Sequence, residues 1–151
     1  MINGKRIIIT AGTFDLMHTG HINILKKAKE LGDVLVVLVS TNRCIKSYKA
    51  CTPILNYKER AAIVNELKCV NHVFPQHNLV DIKQFKDLEG DLFVLGDDWK
   101  DNHSIEGIEW LRKQKKIVFF PYTQHLSSSK IKEKIIKNSY EIIKAQVRKT
   151  K

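Results

Sequence analysis

The sequence predicts an α/β fold: a single doubly wound domain built on a five-stranded parallel sheet with helices on both faces. Three observations carry this prediction. Apolar runs of strand length alternate five times with stretches of helical periodicity. The runs "RIIIT" (6–10) and "DVLVVLVS" (33–40) are continuous and β-branched, as strands buried on both faces should be. No repeat, linker or low-complexity segment breaks the 151 residues, a length that supports one real core.

Between the first two strands, "HINILKKAKEL" (21–31) sets Ile24, Leu25, Ala28 and Leu31 at helical spacing. The segment "RCIKSYKACT" (43–52) reads as a polar loop. "YKERAAIVNELK" (57–68) is the next helix, with Asn56 as its N-cap and Glu59 completing a capping box. A short strand "HVFP" (72–75), a helix near 80–88 and the strand "DLFVLGD" (91–97) follow. A helix near 104–114 and the strand "KIVFFPY" (116–122) come next. "SSSKIKEKIIKNSYEIIKA" (127–145) closes the chain as a helix capped by Ser127. Strand–helix alternation of this kind argues for parallel pairing. Such sheets bind ligands beyond the carboxyl ends of their strands, where the strand order switches. The segments that leave strands are 11–21, 40–56, 96–104 and 122–130, and all four carry polar or special residues.

Composition narrows the partners. Hydrophobic residues make up 43% and charged residues 28%, as in an ordinary soluble domain. No apolar run reaches the length of a membrane span, and the first ten residues lack the pattern of a signal peptide, so a cytoplasmic address is expected. The formal charge of +10 suits anionic partners. Much of it lies between 127 and 151, where eight Lys or Arg stand against Glu133 and Glu141. Without interleaved aromatics or a nucleic-acid-binding motif, this reads as a solvated helix face, not a nucleic-acid surface. Cys44, Cys51 and Cys69 are odd in number and lack CxxC spacing, which argues against a disulfide framework or a zinc site.

The chemistry concentrates in "GTFDLMHTGH" (12–21). Gly12 permits close backbone approach. A helix beginning near Thr19 offers unpaired N–H groups and a positive dipole end, a ready anion site. His18 and His21, three apart, can face one point before that helix and donate to a phosphate under attack. Half a metal site, or a capping role for His18, are the competing readings. Lys46 and Lys49 lie in the next strand-leaving segment, within reach of phosphates or simply solvated. Asp97, Asp98 and Trp99 end the fourth strand, where an exposed Trp is hard to explain by capping alone.

The run "GTFDLMHTGH" resembles the nucleotidyltransferase superfamily whose signature is His-x-Gly-His, here His18-Thr19-Gly20-His21, and its cytidylyltransferase branch in particular. "LGDVLVVLVST", "YKERAAIV", "VLGDDW" and "SSSKI" extend the resemblance over nearly the whole chain. It implies one Rossmann-like nucleotidyltransferase domain over 1–151 and direct attack of a substrate phosphate on the α-phosphorus of CTP, with pyrophosphate released. His18, His21 and Lys46 would be catalytic. Thr13, Phe14, Asp15, Gly20, Lys49, Asp98, Thr123, Ser127, Ser128 and Ser129 would hold the nucleotide, and Arg60 and Trp99 the acceptor. Mg²⁺ would be held mainly by triphosphate oxygens. The implied acceptor is a small phosphorylated alcohol, glycerol 3-phosphate first, giving CDP-glycerol for teichoic-acid-type polymers. Relatives are commonly homodimers.

One motif departs from the branch. Where cytidylyltransferases usually carry Arg-Thr-x-Gly-Ile-Ser-Thr-Thr, "YTQHLSSS" places Tyr122 at the Arg and His125 at the Gly. A Tyr hydroxyl can donate to phosphate but brings no charge. This leaves open CTP against ATP, since adenylyltransferases acting on sugar phosphates end in a similar turn. It also leaves a nucleotide-binding protein with impaired catalysis.

Overall fold

β1 (Ile7–Gly12) takes the centre of the sheet because its consecutive isoleucines bury to opposite sides. Ile7 and Ile9 pack with Phe85, Phe93, Ile108 and Leu111, whereas Ile8 packs with Leu25, Ala28, Val37 and Val64. The computed structural model describes residues 4–49, 52–121, 123 and 126–149, with side chains described as far as 144. In chain order β1 is followed by α1 (Thr19–Lys29), β2 (Val34–Ser40), α2 (Asn42–Tyr48), α3 (Tyr57–Asn65) and β3 (His72–Gln76). Then come α4 (Ile82–Asp87), β4 (Leu92–Gly96), α5 (Glu106–Lys113), β5 (Ile117–Phe120) and α6 (Ser128–Lys149).

The sheet order is β3-β2-β1-β4-β5, and every neighbouring pair is parallel. α1 and α3 supply Leu25, Ala28 and Val64 to one face, and α4 and α5 supply Phe85, Ile108 and Leu111 to the other. The doubly wound sheet is therefore the one the alternation predicts. The chain winds outward from β1 to β3, then returns to β4 beside β1. Loops leaving β1 and β4 diverge at this switch and open a crevice.

Local chemistry sets the helix ends. Asn56 and Glu59 form the expected capping box at α3, and Asp81 caps α4 by accepting from Gln84 N at 3.1 Å. Ser127 Oγ accepts from Lys130 N at 3.2 Å at the start of α6. α2 is a departure, since the sequence reads as a loop there. Its cap is Thr41, whose hydroxyl accepts from Cys44 N at 3.1 Å, and it buries only Cys44 and Ile45, too few apolar residues to show a period. On α6, Ile135, Ile136, Tyr140, Ile142 and Ile143 are exposed. No helix among the described residues is long and apolar enough to cross a membrane.

Gly107 on α5 is dictated by packing. A Cβ there would lie 1.8 Å from the Val80 carbonyl oxygen, and Val80 itself holds φ at 45°, a rare conformation for a β-branched residue. Ala normally favours a helix interior over Gly by about 1 kcal/mol. Here the clash outweighs that preference, and Gly107→Ala is expected to destabilise the fold by about 1–3 kcal/mol, measured by urea unfolding.

Candidate active site

The crevice beyond β1 and β4 holds a cavity of about 230 Å³. Its wall includes Thr13, Phe14, Asp15, His18, Gly20 and His21 from the loop after β1, and Asp98 and Trp99 from the 3₁₀ turn after β4. Thr123, Ser127, Ser128 and Ser129 close it on the side of α6, and Lys49 stands at the end of α2. These expected site residues meet in one place. Lys46 and Arg60 do not line the cavity. Tyr122 and His125, which carry the sequence departure, lie outside the described residues.

His18 is the N-cap of α1, so its capping role and its place in the cavity coexist. Its Nδ1 accepts from Gly20 N at 3.1 Å, and His21 Nδ1 accepts from His18 N at 3.4 Å. The two rings stack with centroids 3.9 Å apart. Gly20 is required by this arrangement, because a Cβ there would sit 2.9 Å from the His18 ring. With each Nδ1 accepting, the neutral rings carry their proton on Nε2. Burial lowers the His18 pKa. Burial, the adjacent His18 and Lys49, opposed by Asp15, push His21 from 6.5 down to about 4. Both rings are thus neutral donors near pH 7. His18 Nε2 is buried and has no hydrogen-bond partner among the described residues. A ligand oxygen would satisfy it.

The loop bearing these groups is strained and tied down. Phe14 and Leu16 hold φ at 53° and 46°, on either side of Asp15. Asp15 is 3% exposed, and its carboxylate accepts from Ile54 N and Leu55 N, each at 3.0 Å. Lys132 of α6 pairs with it at 2.8 Å. Burial alone would raise its pKa, but the Lys132 ammonium and the two amides outweigh burial and lower it. Ser128 Oγ donates to Asp15 O at 2.5 Å. Asp15 therefore lines the cavity with its carboxylate already engaged, holding α6 and the 52–55 loop to the site.

Arg60 corrects the expectation of an acceptor-binding side chain. It is 0% exposed and sits behind the cavity wall. Its Nη1 donates to Thr13 O at 2.6 Å and Ser40 O at 2.8 Å, its Nε to Leu55 O at 3.1 Å, and its Nη2 to Asn42 Oδ1 at 2.8 Å. The planar guanidinium joins four segments that must otherwise hold their own geometry. Lys46 lies exposed on α2, and the formation of this helix directs Lys49, not Lys46, to the cavity.

Tyr48 is a cavity residue that the sequence does not single out. Its hydroxyl lies 3.0 Å from Thr13 Oγ1, and its ring meets Trp99 edge-on at 5.9 Å. A signal for it would have required knowing that 42–48 is helical. Asp98 is an exposed residue on the rim, with its carboxyl pKa raised by partial burial and by Asp97, against Lys49. A cation bound nearby would relieve that unfavourable charge. Among the described residues no group of three or more His, Cys, Asp or Glu side chains forms a metal cage.

Two measurements follow from this geometry. Arg60→Met leaves buried carbonyls unpaired and Asp15 short of a compensating charge, and is expected to cost about 3–5 kcal/mol by urea unfolding, with Arg60→Lys unable to restore it. His21 binds its proton less readily folded than unfolded. Its contribution to stability is therefore complete above 6.5 and is lost as pH falls towards about 4. Wild type is expected to lose more stability across that window than His21→Gln, compared by denaturant titration at each pH.

Comparison with known proteins identifies the family. A family model described as cytidylyltransferase-like matches residues 9–134. Glycerol-3-phosphate cytidylyltransferase of Bacillus subtilis (strain 168) is 40% identical over 129 residues, covering 85% of this chain and 95% of that protein. FAD synthase of Thermococcus sibiricus is 35% identical over 150 residues, covering 93% of this chain and all of that protein. The crystal structure of a lipopolysaccharide core biosynthesis protein from Thermoplasma volcanium GSS1 superposes with a TM-score of 0.65 at 27% identity, covering 82% of this chain and all of that chain. The family match runs from inside β1 into α6 and encloses every described residue of the cavity wall, and on this ground the chain belongs to the cytidylyltransferase-like family and is a nucleotidyltransferase.

Proposed function

We propose that the protein transfers CMP from CTP to a small phosphorylated alcohol, glycerol 3-phosphate first among them. The observation that carries this reading is the stacked pair of neutral histidines at the switch point, with His18 Nε2–H left without an acceptor among the described residues. An acceptor phosphate oxygen attacks the α-phosphorus, the bond from that phosphorus to the bridging oxygen breaks, and pyrophosphate leaves with the electron pair. Such transfers depend on positioning and charge stabilisation more than on a protein nucleophile. His18 and His21 donate to the α-phosphate oxygens as the transition state crowds them. Lys49 supplies positive charge at the mouth, and the Ser127 and Ser129 hydroxyls with the amides at the start of α6 suit phosphate oxygens. Triphosphate oxygens would hold Mg²⁺, with the Asp98 carboxylate available to it, and the ion would supply further charge neutralisation. A homodimer belongs to the same proposal.

A second reading is favoured by the likeness to an FAD synthase, whose match spans the whole of that protein. Making FAD from a flavin mononucleotide requires adenylyl transfer, so ATP would then be the nucleotide donor.

Pyrophosphate release decides between them when CTP and ATP are each crossed with glycerol 3-phosphate, flavin mononucleotide and a sugar phosphate. Turnover with CTP and glycerol 3-phosphate, abolished by excess chelator, is the expected outcome. A preference for ATP moves the protein to the adenylyl reading, and no turnover with any pair favours a nucleotide-binding role. His18→Ala and His21→Ala are each expected to lower kcat by about a hundredfold or more while changing the Kd for CTP far less. Near-normal turnover in either variant would remove the histidines from the chemistry.

A further inference from the structure

Gln76 is the last residue of β3, and it is 2% exposed although it lines the cavity. Its amide is oriented by Ser40, whose hydroxyl donates to Gln76 Oε1 at 2.6 Å. Its backbone carbonyl accepts from Thr41 N at 2.9 Å. Nε2 donates to nothing among the described residues, and Gln76 is part of the cavity lining. The N–H bonds of a buried, fixed amide therefore open on the cavity. Ile45, Leu79 and Val80 line the same cavity and offer no acceptor side chain. An oriented donor in such a setting is costly until an oxygen meets it.

The sheet order places this donor with respect to the chemistry. The histidines follow β1, in the centre, while the start of α6 follows β5 at one edge and Gln76 ends β3 at the other. Parallel strands lie about 4.8 Å apart, so Gln76 is offset roughly 10 Å from the β1 axis. That is the length of a small phosphorylated molecule reaching away from the transfer point. If the nucleotide lies along the α6 side, the acceptor extends towards Gln76. The donor is a neutral amide, which suits an uncharged oxygen rather than a phosphate.

We propose that Gln76 determines acceptor specificity by donating from Nε2 to a hydroxyl oxygen at the end of the acceptor remote from its phosphate. This rests on the reading of the cavity as a nucleotidyl-transfer site for a phosphorylated alcohol. Tyr48 and Trp99 line the same cavity and meet edge-on at 5.9 Å.

The test compares kcat/KM for glycerol 3-phosphate with that for its two deoxy analogues, propane-1,2-diol 1-phosphate and propane-1,3-diol phosphate. Wild type, Gln76→Met and the double variant Ser40→Ala/Gln76→Met are assayed with CTP, and CTP binding is followed by calorimetry. The double variant removes both partners of the buried bond, a change that is close to neutral for folding. Wild type should favour glycerol 3-phosphate over at least one analogue by about tenfold or more. In both variants that preference should collapse through the acceptor KM, with the Kd for CTP within about twofold of wild type. A preference that survives in the variants, or its absence in wild type, overturns the assignment. Loss of CTP binding in both variants would make Gln76 structural and overturns it too. Failure of wild type to turn over any of the three acceptors, in contrast, removes the transfer reading on which the assignment rests.

Discussion

The buried charge of Asp15, and the Arg60 guanidinium that lies behind it, is the constraint on which the rest of the site depends. Asp15 is nearly inaccessible and is held ionised by Lys132 and by two backbone amides. Arg60 is fully buried and bonds to carbonyls on the loop after β1, the end of β2 and the 52–55 loop. Isolated buried charges are expensive, and these two are tolerable because each is saturated by fixed partners and each lowers the other's cost. The loop between them adopts left-handed backbone at Phe14 and Leu16, which it would not hold alone. Removing either charge would release the loop that carries the histidines.

That rigidity explains how two imidazoles can stack without repelling. Both rings are kept neutral by burial, and both are fixed in one tautomer because their Nδ1 atoms accept from backbone amides of the same helical turn. A neutral N–H donor aimed at a phosphate needs little reorganisation as charge develops, which is the kind of preorganisation that stabilises a transition state. The spacing His-x-Gly-His follows from the same geometry. Three residues place the second ring over the first, and the intervening Gly leaves the first ring room to cap the helix.

Much of this was legible in the sequence. Continuous β-branched runs identify β1 and β2, since only strands covered on both faces read that way. Asn56 and Ser127 mark helix starts through the chemistry of their own side chains. The His pair, the Gly between them and the turn after β4 are visible as motifs and do gather around one cavity. What stayed hidden depends on tertiary placement. α2 is stabilised by one cap and two buried residues, less than periodicity can detect, and with it went the placing of Lys46, Tyr48 and Lys49. An Arg in a helix looks like a ligand for phosphate until it is seen enclosed, as Arg60 is. Gln76 carries no motif at all; its position at the end of β3 and its bond to Ser40 make it a cavity donor.

We propose that this cavity performs a single direct displacement at the α-phosphorus, with the protein supplying neutral donors and fixed charge but no nucleophile. The stereochemical course at that phosphorus tests it most directly. With the Sp α-thio analogue of CTP as donor and glycerol 3-phosphate as acceptor, one in-line displacement inverts the configuration of the thiophosphoryl centre in the product, read by phosphorus NMR. Inversion is expected. Retention would require two displacements and a covalent intermediate on the protein, and would contradict it.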